Sequence, residues 1–172
     1  MKYSIFSLLR NAIGYHQGWQ RAWRSPDPRP EYDVVIVGGG IAGCAAALTA
    51  KYQGLKVALI QDRPLFGGNA SREVRVHTIG IPGKGTAILE TIDTPHYPNG
   101  HADATEAQKK RDATMAASEV DLFAHHMAIG LEKVGDRIAS VEAREVTTGT
   151  IRRLRAPVFI DATGDGWLGY WA

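Results

Sequence analysis

Cysteine is almost absent. Cys44 is the single one in 172 residues, so no internal disulfide can form and a Cys/His zinc cluster lacks its ligands; the chain reads as one from a reducing compartment. Long apolar runs are missing too. Near the start, Ile5, Phe6, Leu8 and Leu9 are broken by Ser7 and stopped by Arg10, short of a signal-peptide core, and no stretch approaches the roughly 18 apolar residues of a membrane span. A soluble, cytoplasmic protein is the expectation. Charge of one sign is also scarce. The net charge is +2, and its asymmetry lies in residues 1–31, where Lys2, Arg10, Arg21, Arg24 and Arg29 face only Asp27 and Glu31. Nucleic-acid affinity needs a broad basic face, so nucleic acid is not an expected partner. At 44% hydrophobic and 22% charged residues, a disordered tail or a fibre is excluded, and the length suits a single domain.

Residues 1–31 read as a basic arm ending in alternating Pro26, Pro28 and Pro30, a pattern that favours a stiff extended connector. The domain itself is expected over 32–172. Val34-Val35-Ile36-Val37 is the β-branched run of a strand buried on both faces, Cys44 to Gln53 is a helix of small residues closed by Gly54, and Leu55 to Ile60 is a second buried strand; together they form a βαβ unit. From Gly67 to Gly100, loops are expected around a short helix at 86–92. A helix follows at 104–118, with Glu106 placed to pair with Lys110. A strand is expected at 120–126, a hairpin from 137–146 and 150–154 around Thr147-Thr148-Gly149, and a last strand at 158–161 before the turn Ala162-Thr163-Gly164-Asp165-Gly166. The fold class is α/β: a Rossmann-like domain with a parallel sheet and a β-hairpin insertion. Trp167, Leu168, Tyr170 and Trp171 have the spacing of a helix's first turn with only Ala172 beyond, which reads as an incomplete, partner-dependent domain.

Gly38-x-Gly40-x-x-Gly43 stands between strand and helix, where the dinucleotide fingerprint belongs. Gly38 permits the tight turn, Gly40 leaves room for a pyrophosphate, and Gly43 lets the helix approach the strand. A ribose partner is expected at the end of the second strand. Gln61 comes first in register with Asp62 just behind, while Arg63 would suit a 2′-phosphate. His125 and His126 are adjacent in an expected strand and point apart, and His96 and His101 lack partners at ligand spacing, so no metal is expected. Cys44 reads as a packing residue, and Trp19, Trp23, Trp167 and Trp171 as packing or interface residues.

The runs VVIVGGGIAGCAAALTA, ALIQDRPLFGGNASREVRVHTIG and FIDATGDGWLGYWA resemble the FAD-dependent oxidoreductase family with the glutathione-reductase-type FAD-binding fold, over residues 32–172. The resemblance implies FAD with its ADP half on Gly38, Gly40 and Gly43, its ribose at Gln61 or Asp62, and its pyrophosphate and flavin side at Gly67 and Gly68. It further implies that the Ala162-Thr163-Gly164 turn and Asp165 close over the pyrophosphate and ribityl chain, and that Ala128 lies near the adenine. Gln61 stands where the family usually has Glu. Past Gly68 the chain would near the isoalloxazine, where Arg75 and His77, sharing a face of an extended segment, would stabilise reduced flavin and handle a proton; pairing with Glu73 or phosphate is the competing role. The implied function is electron transfer from a small-molecule substrate to flavin. A catalytically silent FAD-binding or assembly module is the alternative, and an NAD(P) dehydrogenase leaves Gly67-Gly68 and Ala162 to Asp165 without a role. The arm, through Tyr3 to Arg10, His16 to Trp19 and Ala22 to Pro26, resembles the leader of the sarcosine oxidase beta subunit, although Gly67 to Glu73 does not match that protein. A partner subunit or a homo-oligomer is the corresponding expectation, as is a sarcosine-oxidase-beta-like amine oxidase subunit.

Overall fold

The structure is a computed structural model that describes residues 30–76, 78, 87–93 and 101–172, without the side chains of 101–104. The arm up to residue 29, with Trp19 and Trp23, and the candidates His77 and His96 lie outside the described residues.

Four parallel strands, β1 (Val34–Val37), β2 (Val57–Ile60), β3 (Asp121–Phe123) and β7 (Val158–Asp161), form a sheet in the order β3-β2-β1-β7. The helix α1 (Ile41–Tyr52) links β1 to β2, while α2 (Ala87–Ile92) and α3 (His101–Ala117) lie between β2 and β3. A second, antiparallel sheet carries β4 (His126–Val134), β5 (Arg137–Glu145) and β6 (Ile151–Arg155). The short helix α4 (Trp167–Trp171) follows β7.

The period-two alternation of a strand sorts the apolar run of β1 and β2 onto two faces. Val34, Ile36, Val57 and Leu59 pack with Cys44, Ala47 and Leu48 of α1 and with Ile92 and Met115. Val35, Val37, Ala58 and Ile60 pack instead on Val141, Ala143 and Leu154 of the antiparallel sheet, with Leu168 of α4. Three layers result: helices, parallel sheet, antiparallel sheet. Each such Val, Leu or Ile contributes about 1.5–3 kcal/mol by leaving water, which is why β-branched residues stand on both faces here rather than alternating with polar ones. Among the described residues no helix is long and apolar enough to cross a membrane.

Three local expectations are corrected. The strand expected at 120–126 ends at Phe123, because the chain turns at Ala124 and His125, the latter at φ 56° in the left-handed region. His125 and His126 are therefore a turn residue and the first residue of a new strand. That strand, β4, makes the expected hairpin three-stranded: Ala128 pairs with Ala143 and Leu131 with Val141, with irregular register between Ala128 and Gly130 and between Glu132 and Lys133. Finally, Glu106 pairs with Lys109 at 2.8 Å, while the Lys110 ammonium donates to the carbonyls of Glu90 and Asp93 and ties α3 to α2.

Candidate functional site

At the carboxyl ends of β1 and β2 the chain makes two glycine turns that are joined to each other. Gly38, at φ 102°, turns so close to the end of β7 that a Cβ there would lie 2.3 Å from the Ala162 carbonyl oxygen. A Cβ on Gly43 would lie 1.8 Å from the Gly38 oxygen, so both glycines are demanded by backbone crowding inside the protein. Gly40 differs. It precedes α1 with ordinary extended angles (φ −67°, ψ −178°), and a Cβ there would meet nothing within 4 Å. The second turn, Gly67 to Ala70, is drawn against the first by the Gly67 N–H donating to the Gly39 carbonyl at 2.7 Å. Gly67 and Gly68 are both left-handed, at φ 114° and 56°.

Gln61 is 5% exposed and fully engaged with the loops: its Oε1 accepts from the Gly39 N–H at 2.8 Å and its amide donates to the Leu65 carbonyl at 3.1 Å. The first candidate for a ribose contact is thus a clasp that fixes the glycine loop. Asp62, one residue on, is exposed at the edge of the same cavity. Arg63 lies there too, with its guanidinium 3.9 Å from the Glu73 carboxylate. Cys44 is buried and its thiol faces the Gly39 carbonyl at 3.4 Å. Burial pushes that thiol up to about 12, the state of an inert packing residue.

The segment expected to be extended from Glu73 onward is a set of turns. Val74 and Arg75 donate their N–H groups to the Ser71 carbonyl, Val76 donates to Asn69, and Arg75 stands at φ 63°. The Arg75 side chain is exposed and donates to the Arg72 carbonyl at 3.0 Å, so it folds back on its own turn and does not line the cavity. Over the described residues 73–76 the chain is not the extended strand on which a shared face with Arg75 was expected.

At the end of β7, Asp161 and Thr163 form an arrangement the sequence reading did not single out. The Thr163 hydroxyl donates to Asp161 at 2.7 Å and accepts from the N–H groups of Gly166 and Asp165, while the other Asp161 oxygen accepts from Leu168 and Gly169 at 2.8 and 3.2 Å. Burial raises the Asp161 carboxyl, but the Thr163 hydroxyl and amide and the helix amides outweigh it, and the net is a value below the ordinary 3.8. The start of α4 is thereby filled by the protein's own side chains. The start of α1 has no side-chain cap and no acidic residue in its first turn, so its leading N–H groups keep their capacity for an anion.

These parts surround one cavity of about 660 Å³. It is lined by Gly38 and Gly40, Ile41 and Ala42 at the start of α1, Gln61 to Arg63, Gly67 to Ala70, Ala128 of β4, and Gly164 and Asp165. Gly43, behind the loop, does not line it. His126, Met127, Trp167 and Trp171 do; the sequence offers His126 only as a neighbour of His125 unable to share a metal with it, and the two tryptophans only as packing or interface residues. His126 is oriented by its Nδ1, 2.7 Å from the Ala124 carbonyl.

A family model described as FAD dependent oxidoreductase matches residues 33–172. The chain belongs to this family. FAD is the family's cofactor, and the Rossmann-like reading of the fold stands. Sarcosine oxidase subunit beta of Rhodobacter capsulatus is 46% identical over 77 residues, 44% of this chain and 19% of that protein. Digeranylgeranylglycerophospholipid reductase of Picrophilus torridus is 29% identical over 166 residues, covering 82% of this chain and 41% of its own length. Among solved structures, Thermovibrio ammonificans THI4 superposes with a TM-score of 0.59 at 21% identity, over 95% of this chain and 67% of its own. A geranylgeranyl bacteriochlorophyll reductase-like protein of Thermoplasma acidophilum superposes with a TM-score of 0.54 at 22% identity, over 81% and 41%. At these identities the two structures speak for the fold alone. The chain spans less than half of the length of the curated relatives it matches.

Proposed function

We propose that this chain holds FAD in the cavity between its two glycine turns and serves a flavin-dependent oxidoreductase that takes electrons from a small-molecule substrate. One observation carries the reading: the uncapped start of α1 faces open space at Gly40, whereas the comparable start of α4 is closed by Asp161 and Thr163. A diphosphate needs such a cradle of N–H groups approached without a Cβ in the way. The residues fit the cofactor. Gly38, Gly40 and the first amides of α1 would take the pyrophosphate, backed by Gly43, and Asp62 would accept the ribose hydroxyls in place of Gln61, with Arg63 beside it. Gly67 and Gly68 would flank the pyrophosphate and flavin side, Ala128 the adenine, and Gly164 and Asp165 the ribityl chain.

Bound there, FAD supplies an acceptor for two electrons and a proton from a substrate C–H or C–N bond. The protein's part is to bind and orient the nucleotide. The Gln61 clasp and the Gly67–Gly39 hydrogen bond hold the two loops at one spacing, and Ile41, Val76 and the two tryptophans give the cavity an apolar side. Neither Arg75, folded back on Arg72, nor residue 77 is given a step. The likeness to a protein named as a subunit supports a partner chain, and a buried cysteine suits the cytoplasm. The test is to purify the chain, record its visible spectrum, identify the extracted flavin, and add candidate amines and alcohols without oxygen. Flavin absorption with FAD released on denaturation is the expected result, with bleaching by a substrate marking an enzyme. A colourless protein that added FAD does not quench or stabilise overturns the reading.

A further inference from the structure

The Gly67 to Ala70 turn faces the cavity, but its back rests on two buried polar residues of α3. Arg111 has a fully buried side chain. Its Nε donates to the Ile92 carbonyl at 2.7 Å, its Nη1 lies 3.4 Å from the carbonyls of both Phe66 and Ala70, and its Nη2 lies 3.5 Å from the Asp93 carboxylate. Gln108, 2% exposed, donates to Phe66 at 2.9 Å and accepts from the Arg72 N–H at 3.2 Å. The guanidinium packs so closely that a Cβ on Gly67 would lie 2.4 Å from Nη1.

We propose that Arg111, seconded by Gln108, is a positioning residue for the flavin nucleotide, setting the gap between the two glycine turns without touching the cofactor. The inference rests on the FAD reading above. One peptide plane carries the coupling. Its carbonyl, from Phe66, is held by Arg111 and Gln108, and its N–H, from Gly67, is held by the Gly39 carbonyl at 2.7 Å. Carbonyl and N–H point in opposite directions across a trans peptide, so a pull on one end from α3 aims the other at the first glycine loop. The same plane sets how near Gly68 comes to Gly40, where a Cβ on Gly68 would lie 3.1 Å from the Gly40 Cα. A buried cation is an expensive filler, and an apolar residue of similar volume usually serves packing as well or better. What only the guanidinium offers is a rigid fork whose separate donors reach Ile92, Phe66 and Ala70 at once.

The full chain is compared as wild type, Arg111→Lys and Gln108→Leu. Fold is read by far-UV circular dichroism and Tm, FAD affinity by titration well below Tm, and the cofactor's setting by the visible circular dichroism of bound flavin. Arg111→Lys is expected to keep the charge and the secondary structure, weaken FAD at least tenfold and alter the flavin dichroism. Gln108→Leu should shift both in the same direction by a few-fold. Lowered Tm with Kd within twofold of wild type and an unchanged flavin spectrum in the variants that fold marks a merely structural role and overturns the proposal. If Arg111→Lys does not fold, Gln108→Leu decides alone by the same criterion. A wild type that binds no FAD overturns the underlying reading, and this one with it.

Discussion

Substituting Gly40 separates what the glycine turn does for the fold from what it does for a ligand. With φ −67° and ψ −178° the position suits any residue, and a Cβ meets nothing within 4 Å. Gly40→Val should therefore cost the apoprotein only about 1 kcal/mol, the scale of a poor N-cap residue. The new methyl groups would project into the cavity at the start of α1, next to Ile41 and Ala42. If a diphosphate loses two charge-assisted hydrogen bonds from those amides, at about 1.5–3 kcal/mol each, FAD affinity falls by about 3–6 kcal/mol, or about 10²- to 10⁴-fold. Gly40→Ala should lie between. Gly43→Ala is the contrasting control, since its Cβ would lie 1.8 Å from the Gly38 oxygen and forced overpacking against backbone should cost about 3 kcal/mol or more. Flavin quantitation after purification, FAD titration of the apoprotein and urea unfolding make the comparison. Gly40→Val with wild-type flavin content refutes the placement of the cofactor, and Gly40→Val unfolding as readily as Gly43→Ala refutes the claim that its space belongs to a ligand.

Asp62→Asn should weaken FAD by about 1 kcal/mol, the gap between charge-assisted and neutral hydrogen bonds, with no change in Tm, whereas Gln61→Met should leave the buried Gly39 N–H unpaired and cost about 1–3 kcal/mol of stability by urea unfolding; the reverse pattern returns the ribose to Gln61. Asp161 has its folded value lowered, so its contribution is complete above the ordinary 3.8 and is lost as pH falls through the lower folded value. Asp161→Asn should accordingly lower Tm at pH 6 and flatten the acid limb of the stability profile, and an unaltered acid limb counts against the cap. With its thiol pushed up to about 12 by burial, Cys44 should resist a thiol reagent at pH 8 in the native protein and react on unfolding; rapid stoichiometric labelling of the folded chain contradicts the packing assignment.

The strand–glycine–helix–strand unit was readable because each of its parts speaks locally: β-branched residues buried on both faces, small residues in the helix, glycine at the turns. β4 was not, because Met127 to Val134 contains good helix formers and no alternation, and its strand state is imposed by pairing with β5. The cavity's glycines were legible as a pattern, but the division of labour was not: one end of Gln61 is taken up by Gly39 only because the fold brings two loops together. Arg111 and Gln108 gave little sign, since polar residues on a polar helix read as solvated until tertiary contacts bury them. Their spacing with Ala107 and Met115, all buried, was the available signal. Asp161 lay in plain sight at the end of a strand, and only the path of the chain back over its amides reveals it as a cap.

The strand order β3-β2-β1-β7 places Val34 between Val57 and Val158. A nascent chain therefore leaves the ribosome with its first βαβ unit half-paired, one edge of β1 open until β7 emerges. The Gly38 turn is pressed against Ala162, so the nucleotide cradle takes its final shape only after β7 docks. Pairing across such a sequence separation is slow to form and exposes strand edges in the interval. Cofactor capture thus follows the docking of β7, and free flavin can protect the assembled cradle from aggregation but cannot guide the folding of the first βαβ unit.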